Sequence, residues 1–407
     1  MYDNIDKPNT NYCSNCVNPS SAAVAIEFDE RGFCTGCQAS VEKDEINWDQ
    51  RKELLITISE KYKTDGYYDC IIPVSGGKDS YFQTHIVINE LGLNPLLVTY
   101  NGNNFSQTGL KNVQNMREVF GVDHIFFTPA VKTLKKLNRL GMQVMGDMNW
   151  HNHVGILTYP IRVSVDMKIP LMFWGEHGWT ELGGMFSNND MIEFTYKTRH
   201  EHDARGFEWY DLIKEGKNLG EHLTPADLIP WKYPSDDEID EIGTRGLFIS
   251  NFFHWDANNH GKMVKEKYGW LESEIPFERT YRLMSNLDDI YENGIHDYMK
   301  FIKFGYGRSS DHASKDIRAG LMTRSEGIKE VRTRDHIKSK DLLVWLEYVG
   351  WDEKKFDQVA DTFRDKRVWW IKNGEWWKNN IWGEPSAYGP VYLPKDKWGD
   401  YYVENHK

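Results

Sequence analysis

The chain has no apolar run of eighteen residues, so it lacks the length of sequence that a membrane-crossing helix needs. It also lacks the basic-then-apolar opening of a secretory signal. Both absences point to a cytoplasmic protein. Positive charge is in deficit: 49 Lys and Arg stand against 61 Asp and Glu, a net −12. That balance argues against a large nucleic-acid footprint and leaves room only for a local basic patch. No internal repeat or low-complexity tract interrupts the 407 residues, which are enough for two or three domains with a sizeable core.

Cysteine is scarce as well. Of the five, Cys13, Cys16, Cys34 and Cys37 are spaced C-x2-C-x17-C-x2-C. Two such knuckles, with a small hairpin between them, suit one tetrahedral zinc ion. Two disulfides are the alternative, but they need an oxidising compartment that nothing in the chain suggests. Four thiolates leave no coordination position for water, so the predicted zinc is structural. The fifth cysteine, Cys70, opens an apolar strand and is expected in the core.

What is present centres on Ser75-Gly76-Gly77-Lys78-Asp79-Ser80, with an apolar run before it at 71–74 and a helix-like segment after it. A strand, a glycine turn and a helix start aim backbone N–H groups and a positive helix end at one spot, which suits phosphate. Gly76 and Gly77 permit close backbone approach. Ser75 and Ser80 add hydroxyls, Lys78 a charge and Asp79 a metal-binding carboxylate. This is not a Walker A loop, because Asp79 follows the lysine and Ile72 stands where the first glycine belongs. The residues instead resemble the SGG-x-DS loop of the PP-loop ATP pyrophosphatases, which grip the pyrophosphate of ATP and leave AMP. An ordinary glycine turn in an α/β protein is the plain alternative.

Strands are predicted at 71–74, 94–100, 124–128, 171–174 and 247–253, with helices between them. That alternation predicts an α/β fold with a parallel sheet, whose ligands bind at the carboxyl ends of the strands. The residues there are Tyr100 and Asn101 after the second strand and Gly175, Glu176 and Glu181 after the fourth. The two glutamates are candidates for Mg²⁺, with solvated loop carboxylates as the alternative. His153 is a candidate for the substrate pocket. Further on, Arg308, Asp311, Arg318 and Arg324 crowd together. Arginine forks suit phosphate or carboxylate; an internal salt-bridge network is the alternative. A capped helix is expected over 323–331, with Thr323 or Ser325 as its cap. The predicted organisation is a zinc module at 1–45, a PP-loop domain at 46–335 with a polar insertion at about 185–245, and a tryptophan-rich, mainly helical segment at 336–407.

The cysteine module, the loop, and the run from His296-Asp-Tyr-Met-Lys-Phe301 through Phe304-Gly-Tyr-Gly-Arg308 to Asp316-Ile-Arg318 together resemble one family. It is the bacterial N-acetyl sugar amidotransferases of lipopolysaccharide and flagellar-glycan biosynthesis, and the resemblance covers most of 10–335. It implies that an acetamido group on a sugar becomes acetamidino: ATP activates the amide oxygen and ammonia displaces AMP. It implies ATP, Mg²⁺ and structural Zn²⁺, with Lys78, Asp79 and Ser80 at the chemistry and Tyr100 and Asn101 near the adenosine; Arg308, Arg318 and Arg324 become candidates for the sugar's carboxylate or nucleotide phosphates, with His153 and Asp311 as further candidates in the substrate site. A glutaminase of the common types needs a nucleophilic cysteine, and Cys70 is placed for packing. The resemblance therefore implies separate glutaminase and cyclase-like partner subunits, related to those of histidine biosynthesis. A tRNA thiolation enzyme is the rival reading. Against it stand the acidity, the lack of a spare cysteine pair and the lack of a basic, aromatic-interleaved stripe. A nucleotide-binding protein without chemistry is the third reading.

Overall fold

The computed structural model describes residues 7–102, 104–285 and 287–401. The first apolar runs become the strands β1 Cys70–Pro73, β2 Pro95–Tyr100, β3 His124–Phe127 and β4 Leu171–Trp174. They join β5 Glu193–Phe194 and β6 Arg245–Phe248 in one sheet, ordered β3-β2-β1-β4-β6-β5. Every neighbouring pair is parallel except β5 with β6.

Both faces of the sheet are covered, which is why the strands read as continuous apolar runs. In β1, Cys70 and Ile72 join one core with Phe173 and Leu247. Ile71 points the other way, into a core with Val98, Met172 and Ile161. Strand order runs outward from β1 through β2 to β3, then restarts on its other side at β4. The carboxyl ends of β1 and β4 therefore flank a topological switch point, where open α/β sheets bind ligands.

Residues 185–245 are more integrated than their polar composition implies. Leu228 and Trp231 are fully buried in a core with Leu134 and Val154. The Trp231 indole N–H donates to the His151 carbonyl at 2.7 Å. Among the described residues, no helix is long and apolar enough to cross a membrane.

The C-terminal stretch corrects the expectation of a mainly helical segment. After the helices Asp341–Val349 and Glu353–Asp361 it forms an antiparallel sheet of β7 Trp370–Lys372, β8 Glu375–Asn379 and β9 Pro385–Pro390. The turn between β7 and β8 is Asn373-Gly374, with φ of 54° and 78°. Positive φ at both central residues is the turn that matches hairpin twist, and it pairs Lys372 with Glu375 and Ile371 with Trp376. The tryptophans mostly pack: Trp345, Trp369, Trp370 and Trp376 are at most 1% exposed.

Candidate functional site

The glycine turn after β1 is held from several sides. The Ser75 N–H donates to Ser80 Oγ at 3.0 Å, Thr99 Oγ1 to the Val74 carbonyl at 2.6 Å, and the Trp270 indole to the Gly76 carbonyl at 3.0 Å. Gly76 has φ +77°, and a Cβ there would stand 2.6 Å from the Val113 nitrogen. The helix Lys78–His85 starts directly behind the turn, with Gly77 as its N-cap. Lys78 is buried and bonds Asp79 Oδ2 at 2.6 Å. Asp79 Oδ1 is buried without a hydrogen-bond partner. The turn thus brings together an ammonium, hydroxyls and the free N–H groups of a helix start.

This turn forms one wall of a cavity of about 350 Å³. Glu176 and Gly178, past the end of β4, line it, and so does His153 at the start of the helix Trp150–Met167. The rest of the lining includes Arg282, Asp288, Arg308, Asp311 and Lys315. A second chamber of about 210 Å³ shares His153, Leu182, Arg308 and Asp311 with the first. Its remaining wall includes Ala22, Val24 and Ile26 of the cysteine segment, with Trp179, Asp203, Arg205 and Lys303.

The charges in and behind these linings are paired. Lys315 bonds Glu176, Lys300 bonds Asp311, and Arg308 Nε donates to Asp297 Oδ1 at 2.9 Å. Burial works against ionised Asp297, but Arg308 and Arg279 hold it below the usual carboxylate range. Burial likewise opposes ionised Glu176, and Lys315 and then Lys78 outweigh it. Burial raises Asp288, whose hydrogen-bond neighbour is Ser75. In the second chamber burial raises Asp203 to about 6, and burial followed by Arg205 lowers Lys303 to about 7.

Of the residues proposed from sequence, Ser75, Gly77, Lys78, Asp79, Ser80, Glu176, His153, Arg308 and Asp311 meet at the main cavity. Others sit elsewhere. Tyr100 is buried, its hydroxyl 3.2 Å from His151 Nδ1, and Asn101 donates to Thr128 Oγ1 at 2.9 Å. Gly175 lies just before Glu176, with its Cβ direction closed off by Gln83. Glu181 pairs with Lys43 of the helix Thr35–Glu45 and, with Arg318, lines a neighbouring chamber of about 330 Å³ that shares Glu176, Arg282 and Lys315 with the main cavity. Arg318 donates to the Glu181 carbonyl at 2.7 Å. Arg324 donates to the carbonyls of Cys13 and Cys16, both at 3.0 Å. Neither arginine lines the main cavity: Arg324 spends its fork on main-chain carbonyls, whereas Arg318 gives one nitrogen to a carbonyl and keeps Nη1 buried without a hydrogen-bond partner. Sequence reading missed Arg282, Asp288, His312 and Lys315. A signal existed for two of them: Arg308, Asp311, His312 and Lys315 follow i, i+3, i+4, i+7 on the helix Arg308–Arg318, one face of a helix.

The four cysteines form a buried cluster whose sulfurs all lie within 4.8 Å of one another. Cys13 and Cys37 are 3.8 Å apart at sulfur, and Cys16 and Cys34 are 3.6 Å apart. A zinc tetrahedron with Zn–S near 2.3 Å has edges of about 3.8 Å, whereas a disulfide needs about 2.05 Å. The Cys34 N–H donates to Cys13 Sγ at 3.2 Å and Asn15 Nδ2 to Cys37 Sγ at 3.3 Å, contacts that favour thiolates. The donor set fits a closed structural zinc site.

Residues 278–381 match the family described as LPS biosynthesis protein WbpG-like, C-terminal domain. The matched segment supplies Arg282, Asp288, Arg308, Asp311 and Lys315 of the main cavity's lining and runs on through β7 and β8. A stretch of 111 residues, 27% of this chain, is 27% identical to the uncharacterized protein MJ1599 of Methanocaldococcus jannaschii and spans 40% of that protein. The family similarity supports a context of lipopolysaccharide biosynthesis.

Proposed function

We propose that the chain is an ATP-dependent amidotransferase that converts an acetamido group on a bacterial surface-glycan sugar into an acetamidino group. The observation that carries this reading is a single cavity. The Ser75–Ser80 turn stands on one side, and the segment similar to a lipopolysaccharide-biosynthesis domain stands on the other. In this reading residues 46–335 act as a PP-loop domain, with the phosphates of ATP at the glycine turn and the sugar reaching in from the second chamber.

The residues fit such a nucleotide. The helix start and Lys78 face a polar cavity, and Asp79 keeps one buried oxygen without a partner. Asp79, through the Oδ1 that its bond to Lys78 leaves free, and Asp288 are the carboxylates that would hold Mg²⁺ against the phosphates. Mg²⁺ supplies charge neutralisation at the departing oxygens. An amide oxygen is a poor leaving group. Its attack on the α-phosphorus of ATP releases pyrophosphate and turns that oxygen into part of an AMP leaving group. Ammonia then bonds the amide carbon, loses a proton, and AMP departs with the oxygen. Lys78 stabilises charge on the departing pyrophosphate. Arg308, at the junction of the two chambers, orients the sugar. Ammonia comes from a separate glutaminase with its cyclase-like companion, because Cys70 is wholly buried in β1 and burial raises its thiol.

The test is product analysis. The purified chain is incubated with ATP, Mg²⁺, ammonium and a panel of acetamido sugars, free and nucleotide-linked. Sugar-dependent AMP and pyrophosphate, with exchange of O for NH in the sugar's mass, is the expected result. AMP release only with tRNA overturns the reading in favour of thiolation. No AMP with any sugar, even after the glutaminase pair is added, overturns it in favour of a binding protein.

A further inference from the structure

A separate cavity of about 440 Å³ lies where the cysteine segment, the helices from 293 to 334 and the C-terminal sheet meet. Its buried base is Lys378 of β8, 3% exposed. Lys378 Nζ donates to the Asn379 carbonyl at 2.8 Å and to the Tyr12 hydroxyl at 3.3 Å. Asp335 attracts this ammonium, but its carboxylate is occupied elsewhere. It accepts the Ser310 N–H at 3.3 Å and the Ser310 hydroxyl at 2.6 Å, at the start of the helix Arg308–Arg318. Among the described residues Lys378 forms no ion pair. A buried ammonium without a paired anion is costly, and burial pulls Lys378 down to about 8.

The surroundings are those of a ligand pocket. Tyr388 and Phe301 turn their rings toward the lysine, with centroids 5.3 and 5.8 Å from Nζ. Arg332 also lines the cavity, its guanidinium 3.9 Å from the centre of the Trp382 ring. Cavities of roughly 300–1,000 Å³ with apolar walls and a few convergent polar groups are typical of small-molecule sites. This one is too large for a bare ion, and its ring walls favour an organic body.

We propose that this cavity binds a small organic oxyanion, a carboxylate or phosphate ester whose anionic group pairs with Lys378 and whose body lies against Tyr388. An occupant there touches Tyr12 of the cysteine segment as well as β8 and β9, so it clamps the first segment of the chain to the last sheet.

The test uses the full chain, with binding read by calorimetry and by thermal melting. The probes are inorganic phosphate, glucose 6-phosphate, glucuronate and neutral glucose. One or both organic anions should bind one-to-one and raise the melting temperature, and their comparison says whether the anionic group is phosphate or carboxylate. Glucose should do neither. Lys378→Met should weaken binding about tenfold or more, the scale of one lost charge pair. Ser386→Trp, a substitution on the accessible edge strand that fills the cavity, should do the same even if Lys378→Met fails to fold. Lys78→Ala should leave binding intact. The proposal is overturned if neither organic anion binds, or if inorganic phosphate binds as tightly as both. It is also overturned if binding survives Lys378→Met and Ser386→Trp but disappears in Lys78→Ala, which places the anion at the glycine turn.

Discussion

Arg308 is gripped from two directions, by Asp297 at 2.9 Å and by Asp311 at 3.9 Å, and it lines both chambers. Replacing it with Ala should raise KM for the sugar about tenfold, the cost of one charge-assisted contact, and move KM for ATP less. An unchanged sugar KM would remove Arg308 from the substrate. Gly76 makes a second residue-scale case. Gly76→Ala forces a positive φ on a residue with a Cβ and drives that Cβ into the backbone at Val113. Unfolding stability should fall by at least about 2 kcal/mol, measured in urea. Lys303 gives a pH signature. An ordinary lysine titrates near 10.5, and burial with Arg205 brings this one to about 7. Between those values the unfolded chain holds a proton that the folded chain has released, so this group makes stability rise with pH from about 7 toward 10. Lys303→Met should flatten that rise. Identical slopes for both proteins in urea titrations at several pH values would clear Lys303 of the effect.

At the level of elements, what could be read was whatever local chemistry decides. The strand at 171–174 was legible because a doubly covered parallel strand is apolar at every position. The helix Arg324–Arg334 was legible because Thr323 and Glu326 form a capping box, with both side-chain bonds present. Thr323→Ala should cost about 1 kcal/mol, read as a lower urea midpoint; a loss under a few tenths would mean the cap is idle. The β7–β8 hairpin carried an equally local signal in Asn373-Gly374, which the reading of 336–407 as mainly helical passes over. In the site, the glycine turn and Glu176 were legible as residues at strand ends, whereas Tyr100 and Asn101, read by the same rule, do not line the main cavity. Arg282 and Asp288 were not legible, because they lie in irregular backbone with no period to betray which way they point. Arg318 and Arg324 share the composition of a phosphate-binding cluster, and only tertiary geometry shows the Arg324 fork spent on two carbonyls and one Arg318 nitrogen given to another.

Across the whole molecule, the cysteine segment is built into the site. Thr35 Oγ1 donates to the Gly183 carbonyl at 2.7 Å, Ser21 Oγ to the Phe304 carbonyl at 2.7 Å, and Ala22 to Ile26 wall the second chamber. The purified chain should carry one equivalent of zinc by elemental analysis. Cys37→Ser should lose it, lower the melting temperature, and impair sugar use more than ATP binding. Full metal content and an unchanged melting profile in that variant would rule out the four-sulfur site.

The carbonyls of Cys13 and Cys16 are held by Arg324, a residue some three hundred positions later in the chain. On the ribosome the knuckles therefore emerge long before their docking partner. At roughly 5–20 residues per second the interval is on the order of 15–60 seconds. Four clustered thiols without their final cover are open to oxidants for that time. A metal captured by the four thiols while the nascent chain is still growing would close that window.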